Sequence, residues 1–252
     1  MRVFLRILII NVFVCFSLVA AAQDKIFDDS RAGIFDSDIS FAGMVHTAGW
    51  GLNFRYGDYH GAFKKHVWEV EIASMKHPKE HKSYNPFLDN SIKGYVYGKK
   101  NTLTILRPSF LLQKTIFRKQ SSKGVAVSRI IGGGPAIGFE KPVYLVIGRP
   151  NYPYPIKDVE RYNENEHYVD NIISRGPWLK GIGQMKLVPG IHIKGALEFE
   201  YATDYRTLKA LEVGATLDAF YRNIDIMAFT QNHQVFFNLY VALRYGGKKT
   251  LQ

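Results

Sequence analysis

Alternation with a period of two constrains this chain more than any other feature. From Met185 to Tyr201 one parity holds Leu187, Pro189, Ile191, Ile193, Gly195, Leu197, Phe199 and Tyr201. The other holds Lys186, Val188, Gly190, His192, Lys194, Ala196, Glu198 and Glu200. Leu211, Val213, Ala215, Leu217 and Ala219 interleave with Glu212, Gly214, Thr216 and Asp218. Val235, Phe237, Leu239, Val241, Leu243 and Tyr245 alternate with Phe236, Asn238, Tyr240, Ala242 and Arg244, and Trp50, Leu52, Phe54 and Tyr56 with Gly51, Asn53, Arg55 and Gly57. Successive strand residues point to opposite faces, so each run has one apolar, aromatic face and one small, polar or charged face. The runs exceed the roughly 5–6 residues usual in soluble strands, and a strand crossing a bilayer at a tilt needs about 9–11. A soluble barrel or sandwich would turn the apolar parity to a core. The length of the runs and an aromatic content of 14% favour the opposite arrangement. The expected fold is an all-β, antiparallel transmembrane β-barrel with lipid outside and a polar lumen inside. Trp50, Tyr56, Trp68, Tyr201 and Tyr245, near run ends, suit interfacial girdles.

Ten strands are expected, at 38–46, 49–57, 66–77, 92–98, 101–113, 123–132, 134–148, 186–201, 208–220 and 235–246, with eight or twelve left open. The short 92–98 run and a candidate eleventh run at 222–230 are the reasons. With a periplasmic start, connections 58–65, 99–100, Gly133 and 202–207 fall on the inner side. Those at 47–48, 78–91, 114–122, 149–185 and 221–234 fall on the outer side, so the long ones share one side. Gly132-Gly133-Gly134-Pro135 lacks the Gly-Lys-Ser/Thr of a phosphate loop and suits a tight turn. Residues 149–185 show no alternation, and a structureless stretch of that length points to a lid, plug, binding surface or mobile loop. Tyr152, Tyr154, Tyr162, Tyr168 and Trp178 are its candidate contact residues, because aromatics bury much area for little lost freedom.

The chain opens with Arg2 and Arg6, an uncharged apolar run from Ile7 to Ala20, and Ala20-Ala21-Ala22 before Gln23. This is the three-part pattern of a cleaved secretory signal peptide. The organisation expected is a leader at 1–22, an acidic periplasmic tail at 23–37, a barrel at 38–246 and a short tail at 247–252. The single cysteine, Cys15, lies in the leader, which excludes a disulfide scaffold and cysteine-ligated metal centres. Losing Arg2 and Arg6 with the leader lowers the net charge from +11 to +9. For an exported chain this basic excess suits phosphate-bearing lipid and lipopolysaccharide rather than nucleic acid.

Several stretches resemble a family of small outer-membrane β-barrel proteins of the Bacteroidota: His46-Thr47-Ala48-Gly49-Trp50-Gly51, Met75-Lys76-His77-Pro78-Lys79-Glu80, Arg107-Pro108-Ser109, Lys209-Ala210-Leu211-Glu212-Val213-Gly214, and Leu239–Tyr245 with its Gly-Gly-Lys-Lys tail. The resemblance covers most of the mature chain and implies a single outer-membrane barrel. The family carries no assigned reaction, so it supplies no catalytic residue. The last strand also resembles the targeting signal read by the barrel-assembly machinery, with Tyr245 standing where a terminal Phe is usual.

Motifs for chemistry are sparse. No G-x-S-x-G elbow or H-E-x-x-H occurs, and no cofactor motif is present. His77-Pro78-Lys79-Glu80-His81 offers two imidazoles and a carboxylate, but Pro78 opposes a helix and Lys79 and Lys82 oppose a cation. His167 and Asp170, with Glu164 or Glu166 nearby, would be an acid–base pair only if folding assembles them. The lumen parity is more informative. It gathers Arg55, Glu69, Glu71, His192, Lys194, Glu198, Glu200, Glu212, Asp218 and Arg244 in one narrow space, where opposite signs must pair. Mixed signs suggest a filled lumen, whereas one sign would suggest an ion-selective pore. The favoured role is a non-enzymatic structural or interaction barrel, including an accessory subunit of an envelope complex that binds a protein partner through its outer loop. The alternatives are a small pore or ligand channel, and an outer-membrane enzyme acting on lipid or peptide.

Overall fold

A computed structural model describes residues 35–61, 63–85, 93–119, 124–149, 156–202, 204 and 206–250. The predicted leader lies outside them, as does the predicted tail up to residue 34. The strands are β1 (Phe35–His46), β2 (Gly49–Tyr59), β3 (Lys64–Met75), β4 (Lys82–Ser83), β5 (Tyr95–Val96), β6 (Asn101–Phe117), β7 (Ala126–Pro142), β8 (Tyr144–Arg149), β9 (Ile156–Arg161), β10 (Ile172–Arg175), β11 (Lys186–Glu200), β12 (Thr207–Phe220) and β13 (Val235–Thr250). No α-helix occurs among the described residues; a short 3-10 turn spans Ile182–Gln184. Eight strands close an antiparallel barrel in the order β1-β13-β12-β11-β7-β6-β3-β2. The seam between β1 and β13 runs from Phe35↔Thr250 to His46↔Tyr240, so no edge is left open.

The barrel therefore has eight strands rather than ten. Of the stretch 92–98, the described residues supply only β5, which pairs β4 outside the barrel. Where two barrel strands were expected at 123–132 and 134–148, one barrel strand, β7, runs straight through Gly132-Gly133-Gly134-Pro135 and ends at Pro142, and 144–148 belong to β8 of a separate sheet. The predicted turn at Gly133 is thus corrected, and none of these glycines has the positive φ a tight turn would use. A Cβ on Gly132 or Gly134 would strike the Phe110 or Pro108 carbonyl of β6, and one on Gly133 the His192 carbonyl of β11. The glycines let three strands approach closely. Pairing of β6 with β7 lapses between Leu106↔Ile137 and Phe110↔Gly133 without a change of register. Pro108 and Pro135 stand opposite each other there, and neither has an N–H to donate.

Losing the strand at 92–98 reverses β6, so the connection expected at 114–122 on the outer side lies, as 118–125, at the opposite end. That end, the terminal end, also holds 60–63, 201–206, the start of β1 and the end of β13. Losing the turn at Gly133 restores the direction of everything after it. All the long connections, 76–100, 143–185 and 221–234, consequently share the other end, the loop end. The strand limits also move outward: β1 begins at Phe35 and β13 continues to Thr250, into the stretches expected as tails.

The two faces of the wall differ sharply. On β13 Phe237, Leu239 and Leu243 are more than half exposed, while Asn238, Tyr240, Ala242 and Arg244 are at most 3% exposed. Ile191 and Ile193 face out and His192 and Lys194 face in. Outward aromatics form cross-strand rows: Tyr56, Trp68 and Phe110 on β2, β3 and β6, and Phe54, Phe41 and Tyr245 on β2, β1 and β13.

The loop end carries two apolar clusters. In one, Ile224, Ile226 and Met227 pack on inward-facing Met75, Leu103, Ile105, Ala136, Val188 and Phe220, so 221–234 forms a stopper in the barrel mouth. The run considered at 222–230 is this stopper and not a strand. In the other, Tyr95, Leu145, Ile147, Tyr162, Ile172 and Ala228 hold together a side sheet of order β10-β8-β9. The stretch 149–185 expected to lack structure thus contributes most of a small sheet. Its alternation escaped notice because its strands are only four to six residues long.

Candidate functional site: a charged network inside the barrel

Inward-facing side chains of the middle rows are mostly charged and almost wholly buried. Taking a charge out of water costs several kcal/mol, so the folded chain must supply partners, and cross-strand register supplies the first of them. Arg55 is the direct partner of Glu69, Glu71 of Arg107 and His192 of Asp218; the first two are ion pairs, and His192 Nδ1 lies at hydrogen-bond distance, 2.9 Å, from Asp218.

Other contacts reach across the lumen or join neighbouring strands at other positions. Arg55 donates two hydrogen bonds to Glu212 on β12, at 2.7 and 2.9 Å. Arg107 donates to Asp218 through Nε at 2.9 Å and Nη2 at 2.6 Å, and to Glu71. Lys194 Nζ donates to Glu69 at 2.8 Å and Glu71 at 2.7 Å. Glu198 and Glu212 stand directly opposite on β11 and β12, an arrangement that repels unless cations intervene. Arg55 and Arg244 intervene: Arg244 lies 3.4 Å from Glu198 and 3.1 Å from Glu212, and Arg55 lies 3.6 Å from Glu198. Tyr240 donates to Glu212 at 2.5 Å and Gln113 to Glu198 at 2.7 Å. Bonds of this kind strengthen one another away from water.

Nine of the ten residues expected in the lumen belong to this cluster. Glu200 is the exception. It sits nearer the terminal end, paired with Lys119 at 3.0 Å and Lys248 at 2.7 Å. Sequence reasoning missed Arg107, 1% exposed, because both parities of β6 are largely apolar around it. A lone arginine amid Leu103, Ile105, Leu106 and Leu111 was the available signal. It also missed Asp38 and Lys65, joined at 2.6 Å toward the terminal end, where Tyr59 also donates to Asp38.

The loop candidates separate. Tyr168 and Trp178 are exposed at the loop end. Tyr162 is not a contact residue: it is 5% exposed, and its burial in the side sheet, with Tyr97 alongside, pushes its phenol up to about 12. Tyr152 and Tyr154 lie outside the described residues.

Two histidine clusters bear on metal binding. Glu160, Glu166 and His167 bring their ligand atoms within 4.8 Å of one another. His167 Nδ1 accepts from the backbone N–H of Asn163 at 3.0 Å. The neutral ring therefore carries its proton on Nε2, which faces Glu160 at 3.4 Å. The nitrogen a metal would take is the one that donates, so the cluster fits a hydrogen-bonded turn better than a cation. His167 is thereby engaged with Glu160 rather than Asp170, while Glu164 meets Lys100 at 3.2 Å. At His77–His81, Glu80 is taken by Lys99 at 2.5 Å, and His77 Nδ1 accepts from the Lys79 backbone at 3.2 Å.

Comparison with protein-family models, with curated proteins and with solved structures finds no match to the chain.

Proposed function

We propose that this protein is a non-enzymatic outer-membrane β-barrel, exported by its N-terminal leader, that acts as a structural or interaction component of the cell envelope. One observation carries the reading: the wall is apolar outside and charged inside, the inverse of a soluble barrel. From Val235 to Tyr245 the outward parity of β13 is unbroken in apolar residues. Ten residue steps of about 3.3 Å, tilted about 40°, cover about 25 Å, the height of the apolar band on such barrels. The resemblance to small Bacteroidota barrels belongs to the same proposal, as do assembly by the barrel-assembly machinery and contact with lipopolysaccharide. A role without catalysis is supported by the mutual pairing of the lumen charges, since a catalytic group needs an approach for substrate. The exposed Tyr168 and Trp178 beside the side sheet are the proposed contact area for a protein partner.

The reading is tested by purifying a tagged chain from outer membranes in mild detergent. A protein partner is expected at comparable yield, lost when 156–175 is replaced by a short Gly-Ser bridge while the barrel still assembles. Assembly should survive, because loop length costs folding little and the barrel strands are outside the replaced segment. Recovery of the same partner at the same yield after replacement would move the contact to another surface. A chain recovered from the soluble periplasm would overturn the reading.

A further inference from the structure

The outer wall near the terminal end carries a row of like charges. Lys64 on β3 pairs across to Lys114 on β6, and Lys114 to Arg129 on β7. Their chain neighbours Lys65, Gln113 and Ser128 are buried in the lumen, so the three cations belong to the outward parity; Lys64 and Arg129 are exposed. Adjacent strands lie about 4.8 Å apart, which places the backbones of all three residues within about 10 Å. Like charges on directly opposed strand positions repel, and such a row raises the local potential and concentrates anions. At the same end Arg118 lies over the Phe63 ring, 3.9 Å from its centroid. Asp58 on β2, opposite His66, lies 3.5 Å from His60.

Above this row the wall becomes apolar. The next outward row, on the same strands, is His66, Leu112 and Ile131, and the one after it Trp68, Phe110 and Gly133. Trp68 and Phe110 meet edge to face at 5.0 Å. Gly133 presents no side chain beside them. A cationic row at the foot of an aromatic and aliphatic surface is complementary to a molecule with an anionic head and hydrocarbon chains.

We propose that Lys64, Lys114 and Arg129 bind the phosphate of an anionic glycerophospholipid in the leaflet at the terminal end, with its chains against Leu112, Ile131 and Phe110. The proposal rests on the membrane reading above. A zwitterionic head brings its own ammonium into the row and gains less than a head with net negative charge, so phosphatidylglycerol should be enriched over phosphatidylcholine.

Trp68 offers a built-in probe. With Trp50 and Trp178 replaced by Phe, Trp68 is the one tryptophan left in the chain, whose sequence has 3. The full chain is reconstituted into phosphatidylcholine vesicles containing the same mole fraction of brominated phosphatidylglycerol or brominated phosphatidylcholine. Phosphatidylglycerol should quench Trp68 more strongly. Neutralising Lys64 and Arg129, as Lys64→Gln and Arg129→Gln, should lower the lipid preference by about fivefold for each charge removed, and added salt should lower it too. Lys209→Gln, whose cross-strand partner is Tyr245 rather than a cation, should keep the preference. Equal quenching by the two lipids in the unsubstituted wall would overturn the site and leave the membrane reading standing. Quenching by neither lipid would overturn both.

Discussion

Glu212 is the residue on which the interior converges. It accepts from Arg55, Arg244 and Tyr240, and Lys194 lies 3.8 Å away. Its carboxylate screens three cations from one another and from the low-dielectric wall. Removing its charge leaves those cations underpaired in a space closed to water, and breaking a buried ion pair from one side costs about 3–5 kcal/mol. Glu212→Gln should therefore lower the stability of the refolded barrel by that order, read as a shift of the urea midpoint in detergent micelles. Tyr240→Phe removes a single charge-assisted hydrogen bond and should cost less, about 1.5–3 kcal/mol. A loss below about 1 kcal/mol for Glu212→Gln would mean that water or rearranged side chains replace its contacts, and that the network is not a single interlocked unit.

Among the elements, the β6–β7 pair is the least conventional, because prolines face each other and glycines replace side chains along a wall with the network behind it. Gly132→Ala would drive a Cβ onto the Phe110 carbonyl and to 2.7 Å from the Leu111 Cα. Backbone cannot yield as a side-chain tip can, so about 1–3 kcal/mol of stability should be lost. A Cβ at Gly195, on the outward parity of β11, meets nothing within 4 Å, and Gly195→Ala should stabilise by up to about 1 kcal/mol through the unfolded chain. Thermal unfolding of the two variants side by side checks the contrast; equal losses would make strand propensity, not close approach, the reason for the glycines. The same pair marks how far the sequence could be read. β2, β11, β12 and β13 were legible because one parity is apolar and the other small or charged. β6 has Leu103, Ile105 and Leu111 inward and Leu106, Phe110 and Leu112 outward, so its parity is blurred and Arg107 was lost in it. Gly132-Gly133-Gly134-Pro135 imitates turn chemistry, and only the carbonyls of the neighbouring strands explain it. Local alternation showed that charges such as Glu69, Lys194 and Glu212 share a lumen. Which of them meet depends on closure, which sets β3, β11 and β12 around a common axis.

For the whole molecule, the barrel is sealed twice along its axis. Ile224, Ile226 and Met227 stop the loop end, and beneath them the pairs Arg107–Asp218, Lys194–Glu71, Lys194–Glu69 and Arg55–Glu212 cross the lumen between well-separated strands. Barrels of about eight strands have an interior just wide enough for side chains to fill, and here the fillers are tied by charge rather than packed as oil. An ion entering would have to part pairs whose members would be left buried and unmatched. The two seals differ in kind: the stopper is apolar and belongs to one connection, whereas the network is anchored on β2, β3, β6, β11, β12 and β13. Purified protein in a planar bilayer should accordingly give no steady conductance. Replacing Ile224, Ile226 and Met227 together by Ser should wet the loop end and still give none, since the network remains across the lumen. Steady openings of the unsubstituted protein would make transport the better reading of the barrel. Openings that arise only in the triple variant would assign the seal to the stopper and leave the network a purely structural tie between the walls.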